Sequence, residues 1–450
     1  MCGVIGIYNE KGVSKKLFFG LSSLQHRGQE SAGMSVSNGS EIIRKKGMGL
    51  VSDVFNNEIL EDLKGPLGIG HVRYSTAGGS FEFNTQPLMA FAKNTTMSLA
   101  HNGNLINYQI LRTRLEEDGM MFQTTIDSEV ILYLISRYYN GGDIVQAVRK
   151  AMGLIKGAYA VVLLLEDKLV AFRDPYGIRP LVLGDTPDGG WIVSSENAPI
   201  DIIGGKCIRD IQPGEVVVID QDGLQSFPME EEQKPKHCSF EYVYFARNDA
   251  TLDGVNSYNF RRRCGEILYE EFPADVDLVV AVPDSGIPSA IGYSQASGIP
   301  LAEGLVKNRY MGRTSTKPSQ EEREMAVKLK LNPLSHVVNG KRIVLLDDSI
   351  VRGTTSANLI SRLREAGAKE VHMRVTSPPV MNPCYYGIDT PSRIHLIAAN
   401  LSVEEIEEKI GADSLRFISE EGMVKAARIA GDHLCMACFD GQYPVDPIVL

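Results

Sequence analysis

The sequence predicts two domains in series, an α+β domain built from short hairpins and then an α/β domain with a parallel sheet. Three observations carry this expectation. The first half alternates short apolar runs with turn residues. The second half has near-continuous apolar runs, DLVVAVPDSG at 277–286 and KRIVLLDDS at 341–349, each followed by a helical stretch. Between the halves lies a polar, charged segment, MEEEQKPKH at 229–237.

Length and composition bound the possibilities. The chain has 450 residues, 43% of them hydrophobic, enough for two or three domains with full cores. A formal net charge of −10 argues against non-specific binding to nucleic acid, but it leaves room for a locally basic site that takes an anion. No apolar run reaches ~18 residues, so no transmembrane helix is expected. The start, MCGVIGIYNEKG, lacks the basic and long apolar regions of a signal peptide. The expectation is a cytoplasmic protein with no nucleic-acid or membrane partner. Seven cysteines, an odd number in a long chain, argue against a disulfide framework.

The elements follow in order. VVLLLEDKLVAF at 161–172 reads as a hairpin turning at Glu166 and Asp167, and LVLGDTPDGGWIVSSE at 181–196 as another with Asp188 and Gly189 in its turn. Helices are expected at 128–139 and 143–152, and a strand at 215–220, EVVVID. In the second half, unbroken apolar runs are the pattern of parallel strands buried on both faces. PSAIGYSQASG and SANLISRLREAG are the helices that follow them. Such a sheet binds ligands at the carboxyl ends of its strands. The tail from Ser402 begins as a helix, SVEEIEEKIG, and ends in a Cys-x-x-Cys loop. The expected boundaries are 2–230 for the first domain, 231–255 for the linker, 256–405 for the second domain and 406–450 for a helical tail.

Cys2 follows the initiator methionine. Removing Met1 would leave a cysteine with a free α-amine, a base near neutral pH that can activate its own thiol. By position alone, Cys2 reads first as a small residue opening the buried strand CGVIGIY. Four further segments change that balance: HRGQESAG (26–33), GIGHVRYSTAG (68–78), HNGNLIN (101–107) and DSE (127–129). In this order they resemble the glutamine amidotransferases of the N-terminal-nucleophile class, which implies a four-layer αββα fold. The resemblance implies Cys2 as nucleophile, with Asn102 and the Gly103 N–H as the oxyanion hole. It implies Arg73 for the glutamine carboxylate, Asp127 for its ammonium and Thr76 for a hydroxyl contact. Arg73 also reads as an ordinary ion pair, and Asp127 as a helix N-cap. His26, His71 and His101 are expected in structural hydrogen bonds rather than as metal ligands.

IVLLDDSIVRGTTSANLI at 343–360 combines a buried strand, two acids, a short loop and a helix start. Asp347 and Asp348 can take ribose hydroxyls or organise Mg²⁺. The loop at 349–355, with Ser349, Arg352, Gly353, Thr354 and Thr355, precedes a helix whose N-terminus favours a phosphate. The segment resembles the signature of type I phosphoribosyltransferases. That resemblance makes VPDSG (282–286) a diphosphate loop, with Ser285 at the Mg²⁺ site beside Asp347 and Asp348, and Asp284 as a helper. KNRYMGRTSTKPSQEER (307–323) resembles the flap of these enzymes, with Lys307, Arg309 and Arg313 meeting the diphosphate.

Cys435-x-x-Cys438 alone suits a metal or a redox pair. With Cys238 and Cys384 it matches a subgroup that carries a [4Fe–4S] cluster in a structural role, and four-cysteine zinc is the chemical alternative. Cys207 and Cys264 are left over and are expected as buried thiols. Together the halves resemble one family, the glutamine phosphoribosylpyrophosphate amidotransferases, over nearly the whole chain. The resemblance implies that L-glutamine and phosphoribosyl diphosphate give 5-phosphoribosylamine, glutamate and diphosphate, opening purine synthesis. It also implies purine nucleotides as feedback inhibitors and a homo-oligomer, a dimer or a tetramer. Some cluster-bearing members have a propeptide before the catalytic cysteine; with Met1 alone there, methionine removal should suffice. A hexosamine-phosphate synthase would share the first half but not VLLDDSIVRGTTS. A ligand-sensing regulator built on the second fold would not need the intact first site.

Overall fold

The computed structural model describes residues 1–450 except 76–77, 94, 140, 232, 309–330, 391 and 448–450. Its first domain stacks two antiparallel sheets. The seven-stranded sheet runs Lys206–Asp210, Val182–Asp185, Trp191–Ser194, Gly3–Tyr8, Leu67–Arg73, Ser31–Ser37 and Ile42–Met48. The six-stranded sheet runs Gly223–Phe227, Val216–Asp220, Leu169–Arg173, Gly157–Leu164, Thr95–Leu105 and Leu88–Ala92. Both hairpins read from the sequence are present, with Leu164 facing Leu169 and Asp185 facing Trp191.

Strand alternation explains the layers. In Gly3–Tyr8, Val4 packs into the core between the sheets with Ile69, Ala100 and Val162. Ile5 and Ile7 point the other way, to Leu17 and Leu21 of the helix Val13–Ser23. Under the second sheet, Val130, Ile131 and Val148 of the helices Ser128–Tyr138 and Ile144–Met152 meet Leu99 and Val161. The result is helix, sheet, sheet, helix, the αββα order that the resemblance implied.

The second domain is a parallel sheet in the order Leu301–Ala302, Leu278–Ala281, Arg342–Asp347, Glu370–Val375 and Ser414–Phe417. Helices Ser257–Glu271 and Ile287–Ser297 pack together, and Thr354–Glu365 follows the central strand. Its core includes Val280, Ile343, Leu345, Leu359, Val371 and Leu415. The helix Val403–Ile410 starts at Ser402 with a reciprocal capping box to Glu405. One difference from the sequence reading is the strand Ser414–Phe417, which joins the sheet through pairing with Glu370–Val375. The sequence places those residues in a helical tail, 406–450. Between the domains, His237–Cys238 pairs in parallel with Leu434–Cys435, so the linker is bound to the tail.

A second correction concerns Cys207. It is exposed, while Cys264 is buried as expected. Its strand, Lys206–Asp210, is the edge of the seven-stranded sheet and lies open along most of its length.

Candidate active sites

Cys2 opens the strand Gly3–Tyr8 and is 8% exposed. The neighbouring strand brings Val72 opposite Gly3, which sets Arg73 beside the nucleophile. The facing sheet supplies Asn102 and Gly103 from Thr95–Leu105. Cys2 N donates to Asn102 Oδ1 at 3.1 Å. That bond fixes the amide flip, and Asn102 Nδ2, buried, has no hydrogen-bond partner among the described residues. A buried donor without an acceptor is costly unless a ligand supplies one. Gly103 has φ +151°, and a Cβ there would meet Ala158 O at 2.0 Å. Cys2 Sγ lies 3.6 Å from Tyr74 O.

Arg73 is 2% exposed; it donates to Glu30 Oε1 at 2.7 Å and to Gly79 O at 2.9 Å. Asp127 precedes the helix Ser128–Tyr138, yet its carboxylate does not cap it. Asp127 Oδ2 instead accepts the Leu105 N–H at 2.8 Å, which ties it to the end of the strand bearing Asn102 and Gly103. Thr76 lies outside the described residues. His71 and His101 meet through a backbone carbonyl, and His26 bonds elsewhere. His71 Nε2 meets His101 O at 3.1 Å, His101 Nδ1 meets Ser128 Oγ at 2.9 Å, and His26 Nε2 meets Glu196 Oε1 at 2.8 Å. Burial holds His71 at about 3 and pushes His101 down, so both rings are neutral.

The sequence reading missed a buried charge network behind Cys2. Arg27 Nε donates to Cys2 O at 3.0 Å. Its Nη1 meets Glu196 Oε1 at 2.5 Å, and its Nη2 meets both Glu241 oxygens at 2.8 and 3.0 Å. Arg179 Nη1 reaches Glu241 Oε1 at 3.3 Å and also touches the Met1 sulfur. All four charged side chains are buried. Arg27 stood inside HRGQESAG and could have been singled out as a cation within a motif. Glu241 lies 214 residues from Arg27 and carried no local signal.

The second site sits at the carboxyl end of Arg342–Asp347. Asp348 Oδ1 accepts from Ser285 Oγ at 2.5 Å, and Oδ2 from Ser349 Oγ at 2.6 Å. Asp347 Oδ1 accepts the Asp348 N–H at 3.0 Å. Both carboxyls are buried. Burial raises both, the Asp348 charge raises Asp347 further, and Ser285, Ser349 and Arg261 oppose the rise at Asp348. Two buried acids met by hydroxyl and backbone N–H donors fit a divalent ion or a pair of ribose hydroxyls. Arg352, Thr354 and Thr355 are exposed around Gly353, which has φ +77° just before the helix Thr354–Glu365. Lys307 pairs with Asp284 across this mouth. Arg309 and Arg313 lie outside the described residues.

Cys238, Cys435 and Cys438 lie in one buried core with Phe240 and Phe439, and Cys384 packs against that core. Cys238 faces Cys435 across the short parallel pair, and Cys438 O accepts from Met381 N and Asn382 N. Burial pushes the Cys238 thiol up to about 11 and raises Cys435 and Cys438 as well, while Arg179 opposes the rise at Cys238 and Cys435. Arg179 is fully buried, and its Nε and Nη2 have no hydrogen-bond partner among the described residues. A guanidinium with two idle donors, next in sequence to the Ile178 carbonyl that accepts the Cys238 N–H at 3.4 Å, fits an anionic group held by the thiols. Among the described residues, no group of three or more His, Cys, Asp or Glu is arranged to hold a single metal ion.

The Cys384 loop also reaches the first site. Asn104 Nδ2 donates to Tyr385 O at 2.9 Å. Gly387, at φ +108°, packs on Gly103, where a Cβ would meet the Gly103 backbone at 3.2 Å.

Comparison with known proteins agrees with this two-site arrangement. A family model described as a glutamine amidotransferase domain matches residues 71–201, and one described as a phosphoribosyl transferase domain matches residues 256–377. The amidophosphoribosyltransferase of Methanothermobacter thermautotrophicus is 50% identical over 98% of this chain and 94% of its own length. That of Synechococcus elongatus is 50% identical over 99% of this chain and 91% of its own length. The solved structure of a glutamine phosphoribosylpyrophosphate amidotransferase from B. subtilis, complexed with ADP and GMP, superposes with a TM-score of 0.93 at 43% identity. It covers 99% of this chain and 98% of that one. Two sites on one chain, matched over nearly its full length, make this chain a member of the amidophosphoribosyltransferase family.

Proposed function

We propose that the chain hydrolyses glutamine at Cys2 and passes the ammonia to C1 of phosphoribosyl diphosphate, giving 5-phosphoribosylamine, glutamate and diphosphate. Its product opens purine synthesis. The observation that carries the reading is Asn102, which holds Cys2 N with Oδ1 while its buried Nδ2 has no partner among the described residues. An oxyanion formed by attack on the glutamine amide is the acceptor this donor lacks.

Arg73 and Asp127 fix the two ends of glutamine. The α-amine freed by loss of Met1 takes the Cys2 thiol proton, and sulfur attacks the amide carbon. Asn102 Nδ2 and the Gly103 N–H receive the oxyanion. The α-ammonium returns its proton to the amide nitrogen, so that the C–N bond breaks and ammonia leaves. Water then cleaves the thioester to release glutamate and Cys2. The Cys384 loop covers the oxyanion hole, which supports transfer away from bulk water. At the second site Asp347 and Asp348 hold the ribose hydroxyls, and the loop around Gly353, with Ser349, Thr354 and Thr355, takes the 5′-phosphate. Lys307 meets the diphosphate.

Ser285, Asp347 and Asp348 would hold Mg²⁺, which supplies positive charge to the leaving diphosphate when bound. Cys238, Cys384, Cys435 and Cys438 would hold a [4Fe–4S] cluster in a structural role. The idle donors of Arg179 support an anionic cluster over neutral thiols. Purine nucleotides as feedback inhibitors are proposed too, supported by the ADP and GMP named with the B. subtilis relative. We further propose a homo-oligomer in the cytoplasm; no helix among the described residues is long and apolar enough to cross a membrane.

The test is glutamine labelled with ¹⁵N in its amide, supplied with phosphoribosyl diphosphate and Mg²⁺. The label is expected in 5-phosphoribosylamine. Glutamate release with no labelled amine would contradict the coupled reaction.

A further inference from the structure

The four-cysteine site and the nucleophile are joined by buried charge. Arg179 follows Ile178, whose carbonyl accepts the Cys238 N–H at 3.4 Å. Its Nη1 meets Glu241, only three residues after Cys238. Glu241 takes both oxygens to Arg27 Nη2, and Arg27 Nε holds the Cys2 carbonyl. Glu241 is thus the carboxylate that both guanidiniums share. Buried ion networks act as units, because removing one member leaves the others uncompensated where water cannot reach. The Cys384 side makes a second link, through Tyr385 O to Asn104 and Gly387 onto Gly103.

We propose that Glu241 and Arg179 are positioning residues through which the occupied four-cysteine site sets the placement of Cys2. The proposal rests on the cluster reading above. Arg179 Nε and Nη2 would donate to an anionic cluster held by the cysteines. Without it, Arg179 draws Glu241 to itself, Arg27 Nη2 loses both Glu241 oxygens, and the Cys2 carbonyl loses its anchor. The phosphoribosyl site is not on this path. The coupling therefore acts on glutamine use and leaves ammonia use alone.

The experiment compares the anaerobically purified full chain with Glu241→Gln. Three quantities are read: iron and sulfide per chain, ammonia-dependent synthesis, and the rate at which a diazoketone analogue of glutamine alkylates Cys2, followed by mass. Iron, sulfide and ammonia-dependent synthesis should stay close to the parent's. Alkylation and the glutamine kcat should fall roughly 10- to 100-fold, the range seen when partners behind an active group are removed. The KM for glutamine should hold, because Arg73 and Asp127 keep their contacts. Unchanged alkylation in an iron-loaded variant would overturn the coupling. A parallel loss of ammonia-dependent synthesis would reduce Glu241 to a folding role and overturn it too. Should Glu241→Gln not fold, Arg179→Gln carries the same expectation and the same refutation. Zinc or no metal in the parent would instead overturn the cluster reading itself.

Discussion

At the scale of single residues, the account turns on groups whose hydrogen bonds are half used. Asn102→Ala removes both the anchor of Cys2 N and the idle donor. Glutamine-dependent kcat should fall ~10²- to 10³-fold, with ammonia-dependent turnover kept. A steady-state comparison of the two nitrogen sources checks this. Glu196 offers a pH test. Burial alone would raise its carboxyl, yet His26 and Arg27 hold it down at about 2. Its folded pKa thus lies below the unfolded one. The stabilisation is complete above the usual carboxylate value and is lost as pH falls toward about 2, on the order of 3 kcal/mol in all. Thermal unfolding from pH 6 downward should show this loss, and Glu196→Gln should be less stable at neutral pH and flatter across that window. Arg73, Asn102 and Asp127 were legible because each sits in a short segment whose chemistry is local. Glu241 and Arg179 were not, since their meaning arises only when the linker folds back onto the first strand. Cys207 was misjudged because its burial depends on which strand ends the sheet, and no strand states that in its own sequence.

At the scale of elements, hairpins and parallel strands were readable from alternation and from unbroken apolar runs. The strand Ser414–Phe417 was not. Four residues, SLRF, are too few for a period, and only pairing with Glu370–Val375 makes them a strand. The π-helical turn Glu241–Phe245, which carries the shared carboxylate, likewise has no signature in sequence. The start of Thr354–Glu365 is more predictable. Gly353 sits at φ +77°, and a Cβ there would lie 2.6 Å from Ile397 Cδ1. Gly353→Ala costs about 1–2 kcal/mol in a left-handed conformation. An unliganded loop that relaxes out of it must regain it on binding, so the cost appears as about a tenfold rise in KM for phosphoribosyl diphosphate. The KM for glutamine should not move. A rise in both constants would mean that the loop serves the fold and not the phosphate.

At the scale of the whole molecule, the two folds were legible because each carries a signature tied to one chemistry. How they meet was not. The contacts that join them, Asn104 with Tyr385, Gly103 with Gly387, and Arg27 with Glu241, each link residues more than two hundred apart. Two chemistries on one chain make a sharp demand: the first site must supply the second and yet be separable from it. The most direct measurement is 5-phosphoribosylamine formation by Cys2→Ala, with glutamine and with ammonia as alternative nitrogen sources. The account predicts that glutamine-dependent formation vanishes while ammonia-dependent formation continues near the parent rate. Glutamine-dependent formation that survives the loss of Cys2 would contradict it.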